Sequence, residues 1–183
     1  IPATVAARPD GVPWVLDPTA IGLAPVRTRM ARGFLDQEPD VIKGNASEIL
    51  ALVGGRGGRG ADSADAPEHA VDAAIEVARR TGGVVVVSGP TDVVVTADGV
   101  AEKISRGHPL MARVTGTGCL LGALTAGCLA AVDDPMEAAV AAVTWFDVAG
   151  EVAAARADGP GSFRMQLLDA LDEVARIGVE ETR

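Results

Sequence analysis

Excess positive charge is the first thing the sequence lacks. Its 183 residues carry 16 Lys plus Arg against 25 Asp plus Glu, a formal net charge of −9. A general nucleic-acid binder or an anionic-membrane binder needs a basic face, so neither nucleic acid nor membrane is an expected partner. A phosphate ligand stays open, because a few backbone amides and one cation hold a phosphate locally. Long apolar runs are missing too. The most apolar stretch, Cys119 to Val132, is broken by Gly122, Thr125 and Gly127 and falls short of the roughly 20 residues that cross a bilayer. The opening Ile1-Pro2-Ala3-Thr4 has neither the basic nor the apolar region of a secretory leader. Cysteine is scarce. Cys119 and Cys128 fall on what reads as one helix with side chains pointing different ways, so no disulfide is expected and a reducing cytoplasm fits best.

What is present reads as a folded α/β protein, with 48% hydrophobic and 22% charged residues. Val12-Pro13-Trp14-Val15-Leu16 reads as a buried strand ended by Asp17-Pro18, and Val26 to Gln37 as a helix with Val26, Met30, Phe34 and Leu35 on its apolar face. Val41-Ile42 is a very short strand. Asn45 and Glu48 stand at capping-box spacing before Ile49, Leu50 and Leu52, which starts another helix. The Gly54 to Gly60 stretch reads as a mobile loop carrying Arg56 and Arg59, and a helix follows Pro67, with His69 on its solvated side. Val84 to Val87 is a central strand buried on both faces, and Asp98-Gly99 turns a hairpin between Val93–Thr96 and Val100–Ile104. Helices fill the rest: Cys119 to Val132, Pro135 to about Arg156, and a last one with Phe163, Leu167, Leu168, Leu171, Val174 and Ile177. The expected architecture is a layered, mostly parallel sheet with an antiparallel edge hairpin and helices on both faces, one domain over residues 1–183.

Chemistry gathers where strands end and one helix begins. Gly116-Thr117-Gly118-Cys119 opens a helix after a loop, so two glycines allow close approach while first-turn amides and the helix dipole offer positive charge. This segment is neither a Walker loop nor a Gly-x-Gly-x-x-Gly fingerprint, and it also reads as a plain turn capped by Thr117. Cys119 in the first turn is either a polar neighbour of a reacting hydroxyl or a small packed residue. A Cys-His hydrolase using His108 lacks a third group to orient the histidine. Asp17 at a strand end and Glu48 on the next helix are candidates to orient magnesium through water, although the capping box accounts for Glu48 by itself. Lys43 is a candidate phosphate partner and Ser88 a candidate hydroxyl donor, each at a strand end.

Taken in order, five segments resemble the hydroxyethylthiazole kinases, the thiamine-salvage members of the ribokinase-like fold. They are Asp17-Pro18 with Gly22, Lys43 to Ile49, Gly107 to Met111, Val114 to Leu120, and Gly159 to Phe163. The resemblance runs from about Trp14 to about Leu171 and implies transfer of the γ-phosphoryl group of ATP to the primary alcohol of 4-methyl-5-(2-hydroxyethyl)thiazole. It implies that Asp17 and Glu48 serve magnesium, that Lys43, Asn45, Ser88 and Thr117 meet the nucleotide, and that Gly116, Gly118 and Cys119 form the reacting end, with Gly116 at the substrate. Cys119 stands where most ribokinase-like enzymes have an aspartate. Lys43 replaces a frequent arginine, and Ser88 a frequent threonine. The family's N-terminal segment, which supplies strands and part of the thiazole pocket, has no counterpart here, so the polypeptide is expected to be N-terminally incomplete. A homotrimer with sites at subunit interfaces is also implied. The competing expectations are another small-alcohol kinase of the same fold, such as a hydroxymethylpyrimidine kinase, and an inactive nucleotide-binding fragment.

Overall fold

The computed structural model describes residues 2–54 and 67–178. Alternation along valine-rich strands explains its layering. In β3 (Val84–Ser88), Val84 and Val86 point into one apolar cluster while Val85 and Val87 point into another, so both faces of the strand are buried. The sheet order is β1 (Val15–Leu16), β2 (Val41–Asn45), β3, β4 (Asp92–Val95), β5 (Ala101–Ile104). β1, β2 and β3 are parallel, and β4 is antiparallel to both of its neighbours.

One layer holds α2 (Pro25–Phe34), α3 (Ala46–Leu52) and α4 (Pro67–Thr81), packed on Leu16, Ile42, Val85, Val87 and Val95. The other holds α5 (Thr117–Leu129), α6 (Pro135–Arg156) and α7 (Pro160–Ile177), packed on Val41, Val84, Val86, Val94 and Ile104. A five-residue helix, α1 (Pro2–Ala6), precedes β1. The expected α/β arrangement is therefore present, with helices on both faces and β4–β5 as the antiparallel edge. By length and composition α6 could cross a bilayer, which no stretch was expected to do. Its apolar residues Ala138, Ala142, Val143, Phe146 and Ala153 are instead buried against the sheet and the neighbouring helices.

Several boundaries differ from the sequence reading, each for a non-local reason. Strand β1 contains only Val15 and Leu16, because the Trp14 N–H turns to Asp40 Oδ2 at 2.8 Å rather than to the sheet. Strand β2 runs on through Lys43, Gly44 and Asn45, since Val86, Val87 and Ser88 pair with them in register. In α2 the buried positions are Ala31 and Phe34, whereas Val26 is 76% exposed; the helix then tightens into a 3₁₀ turn over Leu35–Gln37. In α7, Leu168 is exposed while Phe163, Leu167, Leu171 and Val174 fill the core. Arg56, Arg59 and the loop they belong to lie outside the described residues, as does the His69 side chain.

Candidate active site

Most candidate residues gather at one end of the sheet, with Lys43 one turn of pleat inside it on β2. Asp17 follows β1, Asn45 ends β2 and Ser88 ends β3, with Asn45 and Ser88 register partners. Because β4 runs the other way, Asp92 starts at this same end, opposite Ile104 where β5 finishes. The N-terminus of α5 points across the rim. Ligands in open α/β sheets bind at such a crevice outside the strand ends.

Gly116 is the N-cap of α5, with φ of 98°, a left-handed conformation that favours glycine. The first intrahelical bond here is Leu120 N–H to Gly116 O at 2.9 Å, so the amides of Thr117, Gly118 and Cys119 belong to the open first turn. Thr117 is not the cap. Its hydroxyl donates backward to the carbonyls of Met111 and Val114, at 2.9 and 3.1 Å, and ties the turn to the 3₁₀ helix Pro109–Arg113.

Lys43 is the buried cation of the site, 4% exposed on β2. Its Nζ lies 3.8 Å from Asp17 Oδ2 and 3.0 Å from where a Cβ on Gly118 would stand. A buried ammonium is costly unless compensated, and here a carboxylate compensates it on one side. On the other side it adjoins the positive end of α5. Two sources of positive potential thus converge on one spot, which is the electrostatics of an anion site. The Asp17 carboxylate rests on Gly122 of α5, whose missing side chain makes the room.

The turn after Asp17 links three of the expected residues. Thr19 Oγ1 donates to Asp17 Oδ1 at 2.7 Å and lies 3.9 Å from Cys119 Sγ. The Ala20 N–H donates to Glu48 Oε1 at 2.8 Å. Glu48 Oε2 accepts from the Asn45 N–H at 2.9 Å, while Asn45 Oδ1 accepts from the Glu48 N–H at 3.0 Å, which is the expected capping box. Both Glu48 oxygens are therefore committed to backbone amides, and the Asn45 oxygen caps α3.

Among the described residues no group of three or more His, Cys, Asp or Glu side chains is arranged to hold a metal ion. Two carboxylates, Asp17 and Glu48, stand on this rim, a sparse donor set that fits only a cation keeping most of its own waters. His108 is a capping residue: its Nδ1 accepts from the Leu110 N–H at 3.2 Å, and no hydrogen bond joins it to Cys119. Both cysteines are free, Cys119 exposed and Cys128 half-buried.

Three features escaped the sequence reading. One is Thr19. Another is the carboxyl pair of Asp92 and Asp147, both buried at the rim, with Asp147 contributed by α6. The third is the grip of α6 on the loop before α5. Glu151 accepts from Arg106 at 2.6 and 3.2 Å and from the Gly107 N–H at 3.0 Å, and Met111 occupies the space a side chain on Gly150 would need. A pair of glycines, Gly107 and Gly150, facing one methionine was the only local signal available. An apolar groove lined by Cys128, Val140, Thr144 and Trp145 lies at the far ends of α5 and α6, away from this chemistry.

Comparison with known proteins agrees with this geometry. The hydroxyethylthiazole kinase family profile matches residues 1–176. The hydroxyethylthiazole kinase of Kineococcus radiotolerans is 52% identical over 94% of this chain and 62% of its own length. That of Corynebacterium glutamicum is 49% identical over 94% of this chain and 66% of its own. The chain thus spans a little under two thirds of these curated relatives. The solved structure of a hydroxyethylthiazole kinase protein from Pyrococcus horikoshii OT3 superposes with a TM-score of 0.75 at 37% identity, covering 87% of this chain and 59% of that one. With a matching profile over nearly its whole length and a matching fold, the chain belongs to the hydroxyethylthiazole kinase family.

Proposed function

We propose that the protein transfers the γ-phosphoryl group of ATP to the primary hydroxyl of 4-methyl-5-(2-hydroxyethyl)thiazole, a step of thiamine salvage. The observation that carries this reading is Lys43, a buried ammonium beside Gly118 at the N-terminus of α5. Phosphoryl transfer asks the protein mainly for position and charge stabilisation, and this corner supplies both.

Lys43 and the first-turn amides of α5 hold the transferring phosphoryl oxygens as charge builds on them. Gly116 presents its backbone to the alcohol, and Cys119, exposed in the first turn, orients the hydroxyl. A thiol is a poor base compared with a carboxylate, so Cys119 contributes by placing the acceptor. Asn45 and Ser88, side by side at the ends of β2 and β3, line the nucleotide side. Thr117 acts at a remove, because its hydroxyl fixes the turn to Met111 and Val114. A magnesium ion held through Asp17, and through Glu48 by way of water, would neutralise phosphate charge when bound. The same reading makes the protein a cytoplasmic homotrimer with sites at subunit interfaces.

The test is ADP release by the full-length protein with magnesium and ATP, comparing the thiazole alcohol with hydroxymethylpyrimidine. Turnover with the thiazole alone supports the proposal. Turnover with the pyrimidine alone moves the activity to another small alcohol, and a folded protein silent with both overturns the kinase reading.

A further inference from the structure

We propose that Thr19 is a positioning residue of this site, whose hydroxyl fixes the Cys119 thiol and the Asp17 carboxylate in one arrangement at the mouth of the anion nest. The inference rests on the kinase reading above and adds a residue to it. Its basis is the direction of two contacts. Thr19 Oγ1 lies 2.7 Å from Asp17 Oδ1, and an ionised carboxylate only accepts, so the threonine proton is committed to Asp17. The same oxygen lies 3.9 Å from Cys119 Sγ. With its proton spent, Thr19 meets the sulfur as an acceptor, and the thiol proton points at Thr19.

That polarity has a chemical consequence. The sulfur's lone pairs are turned away from Thr19, free to accept from the hydroxyl of an incoming alcohol. Cys119 then orients the alcohol's O–H, and one hydroxyl couples the orientation of the thiol to that of the carboxylate on the phosphate side.

The turn holding Thr19 is itself fastened at both ends. Ala20 adopts φ of 59°, a left-handed conformation unfavourable for an alanine, and its N–H is held by Glu48 Oε1 at 2.8 Å. Two residues on, the Gly22 N–H donates to Thr28 Oγ1 of α2 at 2.8 Å. An unfavourable backbone conformation persists where its surroundings over-determine it, so Thr19 is presented at a fixed place. Its side chain is exposed toward the crevice, and no core contact accounts for a threonine there.

The experiment compares Thr19→Val, which keeps the shape and loses the hydroxyl, with Thr19→Ser, which keeps the hydroxyl. In the full-length protein, Thr19→Val is expected to lower kcat about tenfold, with KM for ATP within about twofold and an unchanged melting temperature. Thr19→Ser restores kcat to within about threefold. A second readout needs no turnover: alkylation of Cys119 by iodoacetamide, resolved from Cys128 by peptide mass mapping. Removing the hydroxyl takes away the acceptor that holds the proton on the thiol, so Thr19→Val is alkylated several-fold faster and Thr19→Ser at the original rate. A valine variant with unchanged kcat and unchanged alkylation overturns the proposal, as do equal losses in both variants. If the unsubstituted protein proves silent with the thiazole alcohol, the kinase reading falls by itself. The alkylation comparison then decides the role of Thr19 alone.

Discussion

Asp147 on α6 and Asp92 at the start of β4 are two buried carboxyls that face each other at the rim of the sheet. Burial raises Asp147 to about 7, helped by the charge of Asp92 beside it. Burial raises Asp92 as well, opposed by the Gly89 N–H at 2.9 Å, the neighbouring Asp147 carboxyl and the Lys43 charge. Two carboxyls this close cannot both ionise cheaply, so the pair holds a proton into the neutral range. The other groups facing it are Glu151, which raises Asp147 further, and Arg106, which lowers it. Among the described residues Asp147 Oδ2 has no hydrogen-bond partner.

This pair makes stability depend on pH in a direction opposite to that of an ordinary salt-bridged aspartate. An unfolded aspartate loses its proton near pH 3.9, while the folded Asp147 keeps it to about 7. The folded state therefore binds more protons across that window, and stability present at low pH is lost as pH rises through it. The melting temperature is expected to fall by several degrees between about pH 5 and pH 8. In Asp147→Asn the side chain has no proton to lose and adds no charge beside Asp92, so the fall should be much smaller. Thermal unfolding of both proteins across this range checks it; parallel curves would contradict the shared proton.

Gly83→Ala should be among the most damaging small substitutions. A Cβ there would lie 2.3 Å from the Pro39 carbonyl oxygen and 2.7 Å from that of Asp40, both backbone atoms that cannot swing aside. The entry to β2 would have to move away from β3. A loss of about 2–4 kcal/mol is expected in urea unfolding. Gly127→Ala, with nothing near its Cβ, is the control and should cost nothing or add stability.

Gly116→Val should reduce turnover more than Cys119→Ala. A Cβ on Gly116 meets no atom of the protein within 4 Å, so crowding inside the chain is not the cause. The left-handed φ of 98° is: a β-branched residue there forces the turn to rearrange and takes the first-turn amides with it. A kcat loss of 100-fold or more is expected for the valine, against roughly tenfold for Cys119→Ala. Steady-state kinetics with the reverse order would make Cys119 an essential base.

Lys43→Met should separate binding from folding. Methionine fills the stem of the lysine but leaves Asp17 without its cation and the nest without its charge. KM for ATP is expected to rise tenfold or more, with a smaller effect on kcat. Lys43→Arg restores charge beside Gly118 but puts a larger planar guanidinium in a buried position, so partial recovery is expected. Isothermal titration with ATP reports the same loss without turnover.

Much of the sheet was legible because its signals are local. Val84 to Val87 announces a strand buried on both faces, Asp98-Gly99 a hairpin, and Asn45 with Glu48 a helix start; all three are where the pattern put them. The site was legible in part. The strand-end rule found Asp17 and Ser88, the Gly-Thr-Gly-Cys segment marked the helix beside them, and Lys43, expected at a strand end, lies within β2 instead. Thr19 was hidden because its partner Cys119 is a hundred residues away, and Asp147 because an aspartate inside an apolar helix pattern gives no hint of the strand it faces. The extension of β2 was hidden likewise, since Lys43 and Gly44 are poor strand formers held by pairing with Val86 and Val87.

The reversed strand also shapes how many chain segments can reach the crevice. In a sheet of parallel strands each strand contributes one outgoing end to the active rim, and a helix must return the chain before the next can contribute. The turn into β4 keeps the chain at the rim, where Asp92 begins the descent, and β5 climbs back within a dozen residues to deliver Arg106 and Gly107. One reversed strand, with a turn at each end, thus brings the end of β3, the start of β4 and the end of β5 to the same rim from a short stretch of sequence. Thr91 and Ser105, 3.0 Å apart, fasten the outbound and inbound passages to each other. Substitutions or insertions at the opposite turn, around Asp98-Gly99, would then be felt at the rim through the register of only two strands.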